Sequence, residues 1–223
     1  MAAGVRLVVL GKQGAGKGTQ CVRLSHRYAV PHISTGDMLR AAVRARTPLG
    51  IEAESLMTTG ELLPDELITR VVDERLTERD ASTRGFILDG YPRTVTQATM
   101  LEGILNETHK LHCVVNLDVP TDQVLQRLVS RRTCVDCGAI YSTNQPPIQG
   151  WVCDTCGGEV VQRPDDTAEV IMTRLQAYER ETLPLIDFYE ERGLLETIDG
   201  TREPDDVLRA TVETVERRKA QAS

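Results

Sequence analysis

The chain has 223 residues and a net charge of −7, from Lys+Arg 26 against Asp+Glu 33, a length that fits one domain or one domain with a substantial insert. Hydrophobic residues make up 40%, enough for a packed core and too many for a disordered chain. The acidic balance excludes a general binder of nucleic acid or anionic membrane, which needs a basic field, and no apolar run approaches the roughly 20 residues of a bilayer span. The apolar stretch at 7–10 is too short for a signal-peptide core, so a cytoplasmic protein is expected. Its six cysteines then read as metal ligands or core residues rather than disulfides.

Short apolar runs at 5–10, 32–34, 86–88, 113–117 and 194–198 read as buried parallel strands. Between them, helical patterns cover 17–28, 37–45, 65–77, 94–105, 121–131, 168–191 and 204–218. In 65–77, Leu67, Ile68, Val71, Val72 and Leu76 fall on one apolar face. Pro184 is expected to bend or break the long segment 168–191. This alternation predicts an α/β fold, a five-stranded parallel sheet with helices on both faces. Residues 133–162 break the pattern. They hold four cysteines and the only tryptophan with no Lys or Arg, and read as a small inserted unit.

Gly11-Lys12-Gln13-Gly14-Ala15-Gly16-Lys17-Gly18-Thr19 follows the first strand and opens a helix. Glycines let successive N–H groups turn inward around a phosphate, and the helix N-terminus adds its dipole. Lys17 then reaches the outer phosphates. A glycine-rich turn that binds nothing is the competing reading, disfavoured by the strand before, the helix after and the lysine in register. The strict phosphate-loop pattern places Ser or Thr directly after the lysine; here Gly18 stands there and the hydroxyl follows at Thr19. Basic charge is concentrated in arginine, 22 Arg against 4 Lys, and arginine makes bidentate bonds to phosphate.

Gly-Lys-Gly-Thr-Gln at 16–20 resembles the nucleoside monophosphate kinases, and the adenylate kinase family above all. The resemblance extends through Ile33-Ser34-Thr35-Gly36-Asp37-Met38-Leu39-Arg40, Gly60-Glu61-Leu62-Leu63-Pro64-Asp65, and Leu88-Asp89-Gly90-Tyr91-Pro92-Arg93 with Gln97. Arg127, Arg131, Arg163 and Arg174 fall where that family places lid-hinge arginines, with Arg163-Pro164-Asp165-Asp166 matching its Arg-x-Asp-Asp. Gln13 departs from the proline usual in the family. This puts loop stiffness in question more than phosphate binding, since backbone amides hold the phosphate.

The resemblance implies a P-loop NTPase fold spanning 1–223, with an acceptor-nucleotide segment at 34–63 and a lid at 130–167. It implies phosphoryl transfer from MgATP to AMP, giving two ADP. Gly14, Ala15, Gly16, Lys17, Gly18 and Thr19 would hold the ATP phosphates, with Arg127 and Arg131 reaching ATP from the lid side. Ile140, Tyr141 and the carbonyl of Arg202 would lie against ATP. Arg93, Arg163 and Arg174 would bridge the two phosphate chains, Arg40 and Arg93 would hold the AMP phosphate, and Thr35 and Gln97 would read its adenine. Backbone groups of Glu61, Leu62, Leu63, Gly90, Tyr91 and Pro92 complete that pocket, and Asp89 would act on Mg²⁺ through water. Such a reaction needs no general base, because the attacking monophosphate oxygen is already anionic. The sequence accordingly offers no nucleophile–base pair. Arg44, Arg46, Arg79, Arg217 and Arg218 read as solvated surface charges. Asp165 and Asp166 either cap the following helix or pair with the arginines.

Cys134-Val135-Asp136-Cys137 and Cys153-Asp154-Thr155-Cys156 are two Cys-x-x-Cys knuckles whose separation suits a tetrahedral zinc site. A pair of disulfides, or four unrelated thiols, is the alternative. Gly138 and Gly157 suit the tight turns. Four thiolates leave zinc no open position, so the ion would be structural. A four-thiolate centre also adds a charge of about −2 to an insert without cations, which argues against a nucleic-acid reader. Cys21 and Cys113 read as core residues, and His26, His32, His109 and His112 as structural. A monomer is expected, because lid and acceptor segment must move. Two rivals remain open: a kinase with a pyrimidine acceptor or GTP donor, and a zinc-bearing module that only binds nucleotide.

Overall fold

The structure, a computed structural model, describes residues 4–105 and 110–222; His109 lies outside them. In chain order the elements are β1 (Arg6–Leu10), α1 (Lys17–Tyr28), β2 (His32–Ser34), α2 (Thr35–Arg44), α3 (Pro48–Thr59), α4 (Asp65–Thr77), α5 (Arg79–Arg84) and β3 (Phe86–Asp89). After these come α6 (Val95–Ile104), β4 (Cys113–Asp118), α7 (Thr121–Ser130), β5 (Arg131–Cys134), β6 (Ile140–Ser142), β7 (Val160–Val161), α8 (Ala168–Ala177), α9 (Leu185–Glu191), β8 (Leu195–Asp199) and α10 (Pro204–Ala222).

Five strands form one sheet in the order β2-β3-β1-β4-β8, every pair parallel. Because side chains alternate across a strand, Leu7 and Val9 enter one core with Cys21, Val115, Leu128 and Leu175. Val8 and Leu10 enter the other with Ile68, Leu88, Leu101 and Leu185. Helices therefore cover both faces, as the alternation predicts. The register sets Val9 beside Asp89 and Leu10 beside Asn116, which gathers the carboxyl ends of β1, β3 and β4 at one edge. Open parallel sheets bind ligands at that edge.

Two excursions leave this frame. One is the helical pair α2–α3. Ser34 caps α2 by accepting from the Asp37 N–H at 3.3 Å, and Thr47, followed by Pro48 in the first turn, caps α3. The two helices cross closely, since a Cβ on Gly50 would lie 2.1 Å from the Ala42 carbonyl oxygen. The other excursion is the antiparallel sheet β6-β5-β7, with a small core of Cys134, Cys153 and Val160. Trp151 lies on it, 43% exposed, with the Arg132 guanidinium 5.9 Å from its ring centre.

The long helical segment at 168–191 breaks earlier than Pro184. A π-helical stretch, Tyr178–Thr182, follows α8, and Pro184 caps α9. That irregularity turns Thr182 toward the cleft, where its hydroxyl donates to the Arg93 carbonyl at 2.9 Å. Arg217 and Arg218 are not simply solvated. Both donate to Glu196 on β8, at 2.8 and 2.6 Å.

Candidate active site

The loop between β1 and α1 turns through left-handed glycines, Gly14 at φ 79° and Gly16 at φ 96°, where a Cβ would be strained. Gly16 gives α1 no side-chain cap, so the first-turn N–H groups are left for an anion. Lys17 lies over this loop, its ammonium donating to the carbonyls of Gly11 at 2.6 Å and Lys12 at 2.9 Å. Burial lowers Lys17 to about 8, with Asp89 pulling it up and Arg93 and Arg131 pushing it down. Gln13 donates to the Ile171 carbonyl at 3.0 Å, tying the loop to α8. Thr19 is exposed.

Asp89 ends β3 beside this loop, 9% exposed, with His32 Nε2 3.2 Å from its Oδ2. A Cβ on Gly18 would sit 3.7 Å from that same Oδ2 and 3.6 Å from Ile140 Cδ1. A serine at this position would therefore bring its hydroxyl toward Asp89. The glycine leaves that space open, and β6 of the small sheet stands directly above the loop.

The arginines cluster around these groups. Arg131 makes a two-bond pair with buried Asp166, one bond at 2.8 Å, and Arg174 pairs with Asp165. Burial opposes ionisation of Asp165, yet Arg174, then Arg40 and Arg163, hold it below the usual carboxylate range. Both acids therefore pair with arginines, while Thr167 caps α8. Arg163 donates to the Thr133 hydroxyl at 3.0 Å, and Arg40 to Asp37 at 2.6 Å. Arg93 Nε donates to the Gly90 carbonyl at 2.8 Å. Burial lowers Arg93 to about 10, helped by neighbouring Arg174 and Arg40. Arg163 is lowered to about 10 by burial and by Arg40 and Arg131. Lys17 and five arginines thus face four carboxylates, Asp37, Asp89, Asp165 and Asp166, an excess of positive charge that suits a polyanion.

On the other side of the cleft, Thr35 donates to the Gly90 carbonyl at 2.9 Å. Gln97 accepts from the Arg93 N–H at 2.7 Å and donates to Asp65 at 2.7 Å. Both Gln97 groups keep one free hydrogen-bonding position, although the side chain is only 2% exposed. Tyr91 and Pro92 are buried, the Tyr91 hydroxyl 2.9 Å from Thr69. Leu63 is buried, Leu62 half-buried and Glu61 exposed just after the left-handed cap Gly60, φ 83°.

Arg127 donates to the Gly200 carbonyl at 3.0 Å, and so meets the turn that carries exposed Arg202. Tyr141 turns its hydroxyl into the small sheet, 3.4 Å from Cys153 Sγ and accepting from the Asp154 N–H at 2.9 Å. Thr133 and Asp65 hold functional side chains and Thr182 holds the Arg93 carbonyl, yet they carry no signal of their own in the sequence beyond Asp65's place in the 60–65 motif.

All four lid sulfurs lie within 4.8 Å of one another, with Cys134–Cys156 and Cys137–Cys153 at 3.5 Å. That is far beyond the roughly 2.05 Å of a disulfide and close to the edge of a tetrahedron with metal–sulfur bonds of about 2.3 Å. Gly138 and Gly157 adopt φ 75° and 76°, and their N–H groups donate to Cys134 and Cys153 carbonyls at 3.1 and 2.9 Å. The two knuckles therefore turn alike. The Tyr141 hydroxyl, against the opposing effect of burial, draws Cys153 down to about 6.

A phosphate loop closing the first strand of a parallel sheet, with an acid at the end of the neighbouring strand, defines a P-loop NTPase fold. The family model described as Adenylate kinase matches residues 9–194. Curated adenylate kinases align along nearly the whole chain. That of Thermodesulfovibrio yellowstonii is 48% identical over 217 residues, covering 96% of this chain and 100% of its own. That of Methanosarcina acetivorans is 50% identical over 206 residues, covering 92% and 95%. That of Desulfitobacterium hafniense is 49% identical over 214 residues, covering 95% and 98%. The chain belongs to the adenylate kinase family.

Proposed function

We propose that the protein catalyses reversible transfer of the γ-phosphoryl group of MgATP to AMP, giving two ADP. The observation that carries this reading is the convergence of Lys17, Arg40, Arg93, Arg131, Arg163 and Arg174 on one cleft beside Asp89. A dissociative phosphoryl transfer asks the protein for alignment and positive charge rather than for a base. Lys17 and the amides of 14–19 hold the donor phosphates. Arg40 and Arg93 hold the AMP phosphate, and Arg93, Arg131, Arg163 and Arg174 neutralise charge that spreads over the transferred group. The attacking AMP oxygen loses no proton. Mg²⁺ brought with ATP would supply further charge neutralisation, and Asp89 fits the part of an acid that would act through its water shell, given the open space at Gly18.

Thr35 and Gln97 read the adenine of the acceptor with the backbone of Glu61–Leu63 and Gly90–Pro92, while Ile140, Tyr141, Arg127 and the Arg202 carbonyl border ATP. Residues 34–63 act as the acceptor segment and 130–167 as the lid. The four lid thiols fit zinc, which would complete a closed tetrahedron and stiffen the lid without entering the reaction. Net charge −7 and the cation-free stretch 133–162 speak against nucleic acid as a partner. No helix among the described residues is long and apolar enough to cross a membrane. A cytoplasmic monomer completes the reading.

The test is ADP formation from MgATP with AMP, CMP, UMP or dTMP in turn, against ATP alone. Rapid turnover with AMP only supports the proposal. Preference for a pyrimidine overturns the roles of Thr35 and Gln97, and no turnover with any acceptor overturns the kinase reading.

A further inference from the structure

Beneath Lys17 lies a second group of metal-ligating side chains, of which Cys21 and His32 have no part in the proposed transfer. Cys21 sits one turn further along α1, His32 opens β2 and Asp89 closes β3. One ligand atom from each lies within 4.8 Å of the other two. His32 Nε2 and Asp89 Oδ2 are 3.2 Å apart. Cys21 is fully buried and Asp89 nearly so, so three regular elements hold the trio rather than mobile surface chains. It is also distinct from the four lid cysteines.

We propose that Cys21, His32 and Asp89 form a binding site for a thiophilic divalent cation of the zinc class, whose occupation inhibits the enzyme. The donor set decides the class of ion. Mg²⁺ asks for six oxygens, whereas one sulfur, one imidazole nitrogen and one carboxylate oxygen suit Zn²⁺, Cd²⁺ or Co²⁺. Around a tetrahedral ion with bonds of about 2.0–2.3 Å, ligand atoms lie roughly 3.3–3.8 Å apart, so a small contraction of the trio suffices. Binding breaks the S–H bond, forms a metal–sulfur bond and sends one proton to solvent. A thiolate, a carboxylate and a neutral imidazole then balance the two positive charges of the ion. The neutral cluster adds no repulsion to Lys17, which is why it can form so close to that ammonium. The fourth position faces the cleft and takes water. The ion occupies Asp89 and takes that carboxylate away from the water shell of Mg²⁺, which links metal occupancy to loss of MgATP binding.

The binding arm reads the metal without turnover, so it stands or falls separately from the kinase assignment. Zinc-loaded, nucleotide-free protein is titrated with Co²⁺, which does not displace zinc readily from a thiolate site. One further equivalent per chain and a near-ultraviolet thiolate-to-cobalt band are expected. Cys21→Ser abolishes the band, His32→Gln weakens binding by at least about tenfold, and Cys113→Ser changes neither. In assays with buffered free Zn²⁺, inhibition competitive with MgATP is expected, shifted at least about tenfold to higher Zn²⁺ in Cys21→Ser and His32→Gln. No additional equivalent in the wild type overturns the proposal. A band that persists in Cys21→Ser, or inhibition unshifted in both variants, also overturns it.

Discussion

Arg93 is tied into the site through both its side chain and its backbone. Its guanidinium meets the Gly90 carbonyl, its N–H is held by Gln97, and its carbonyl accepts from Thr182. Arg93→Ala is expected to lower kcat by about 10²–10³, the usual cost of one donor to a developing charge, with zinc content and circular dichroism unchanged; wild-type turnover would remove Arg93 from the reaction. Lys17 gives a prediction in pH. With the free ammonium lowered to about 8, it is charged below that value and increasingly neutral above it. ATP affinity should fall above pH 8 by up to about tenfold per unit, read by calorimetry without acceptor. The sign reverses for the nucleotide-free fold. Between the folded value and the ordinary lysine value of 10.5, the unfolded chain binds more protons, so Lys17 favours the fold as pH rises through that window. The contiguous motifs made Lys17, Asp89 and Arg93 legible in the sequence. The hydroxyls that hold Arg163 and Arg93 were less so: Thr133 and Thr182 come from distant segments, and a lone threonine has no pattern. Cys21 and His32 read as core and structural residues because 11 positions separate them and no knuckle spacing joins them.

At the scale of elements, the five sheet strands were readable to within a residue, most clearly the central β1, β3 and β4, which are buried on both faces and therefore largely apolar. Helix α3 was not. Its fully buried residues are the small Gly50 and Ala53, while Leu49, Leu56 and Met57 pack against the core only partly buried and Ile51 is exposed, which blurs the apolar stripe; the Thr47-Pro48 start was the available signal. Gly50→Ala should cost about 1–3 kcal/mol by overpacking against the Ala42 backbone, measured by urea unfolding. An unchanged midpoint would show that α2 and α3 separate freely. The π-helical stretch also escaped the sequence, since Pro184 marks the start of α9 while the irregularity begins at Tyr178. For the lid, Cys153→Ser should lower the melting temperature by several degrees, about 5 °C, and lower turnover at mild temperature much less. An unchanged melting curve would mean that the thiols do not staple the lid.

Considered as a whole, the molecule places two excursions at the carboxyl edge of one sheet, with the β5–β7 unit lying over the phosphate loop. Ile140 makes that approach at Gly18, and the Arg131–Asp166 and Arg174–Asp165 pairs anchor its base. In the proposed reaction such a cover would keep water from the γ-phosphate. Ile140→Ser should therefore raise ATP hydrolysis in the absence of acceptor by roughly threefold or more, followed as phosphate release; an unaltered rate would separate Ile140 from water exclusion. The alternation of strands and helices made the frame legible. The position of the lid over the loop was not, because it depends on long-range pairs between residues that are individually ordinary.

Trp151 is the only tryptophan in the chain, and it rides on this cover, half in solvent, beneath the Arg132 guanidinium. Emission excited at the red edge of the indole band therefore comes from one known place, the small sheet. The protein carries its own optical reporter of that sheet's surroundings, with no dye to attach and no competing emitter to subtract.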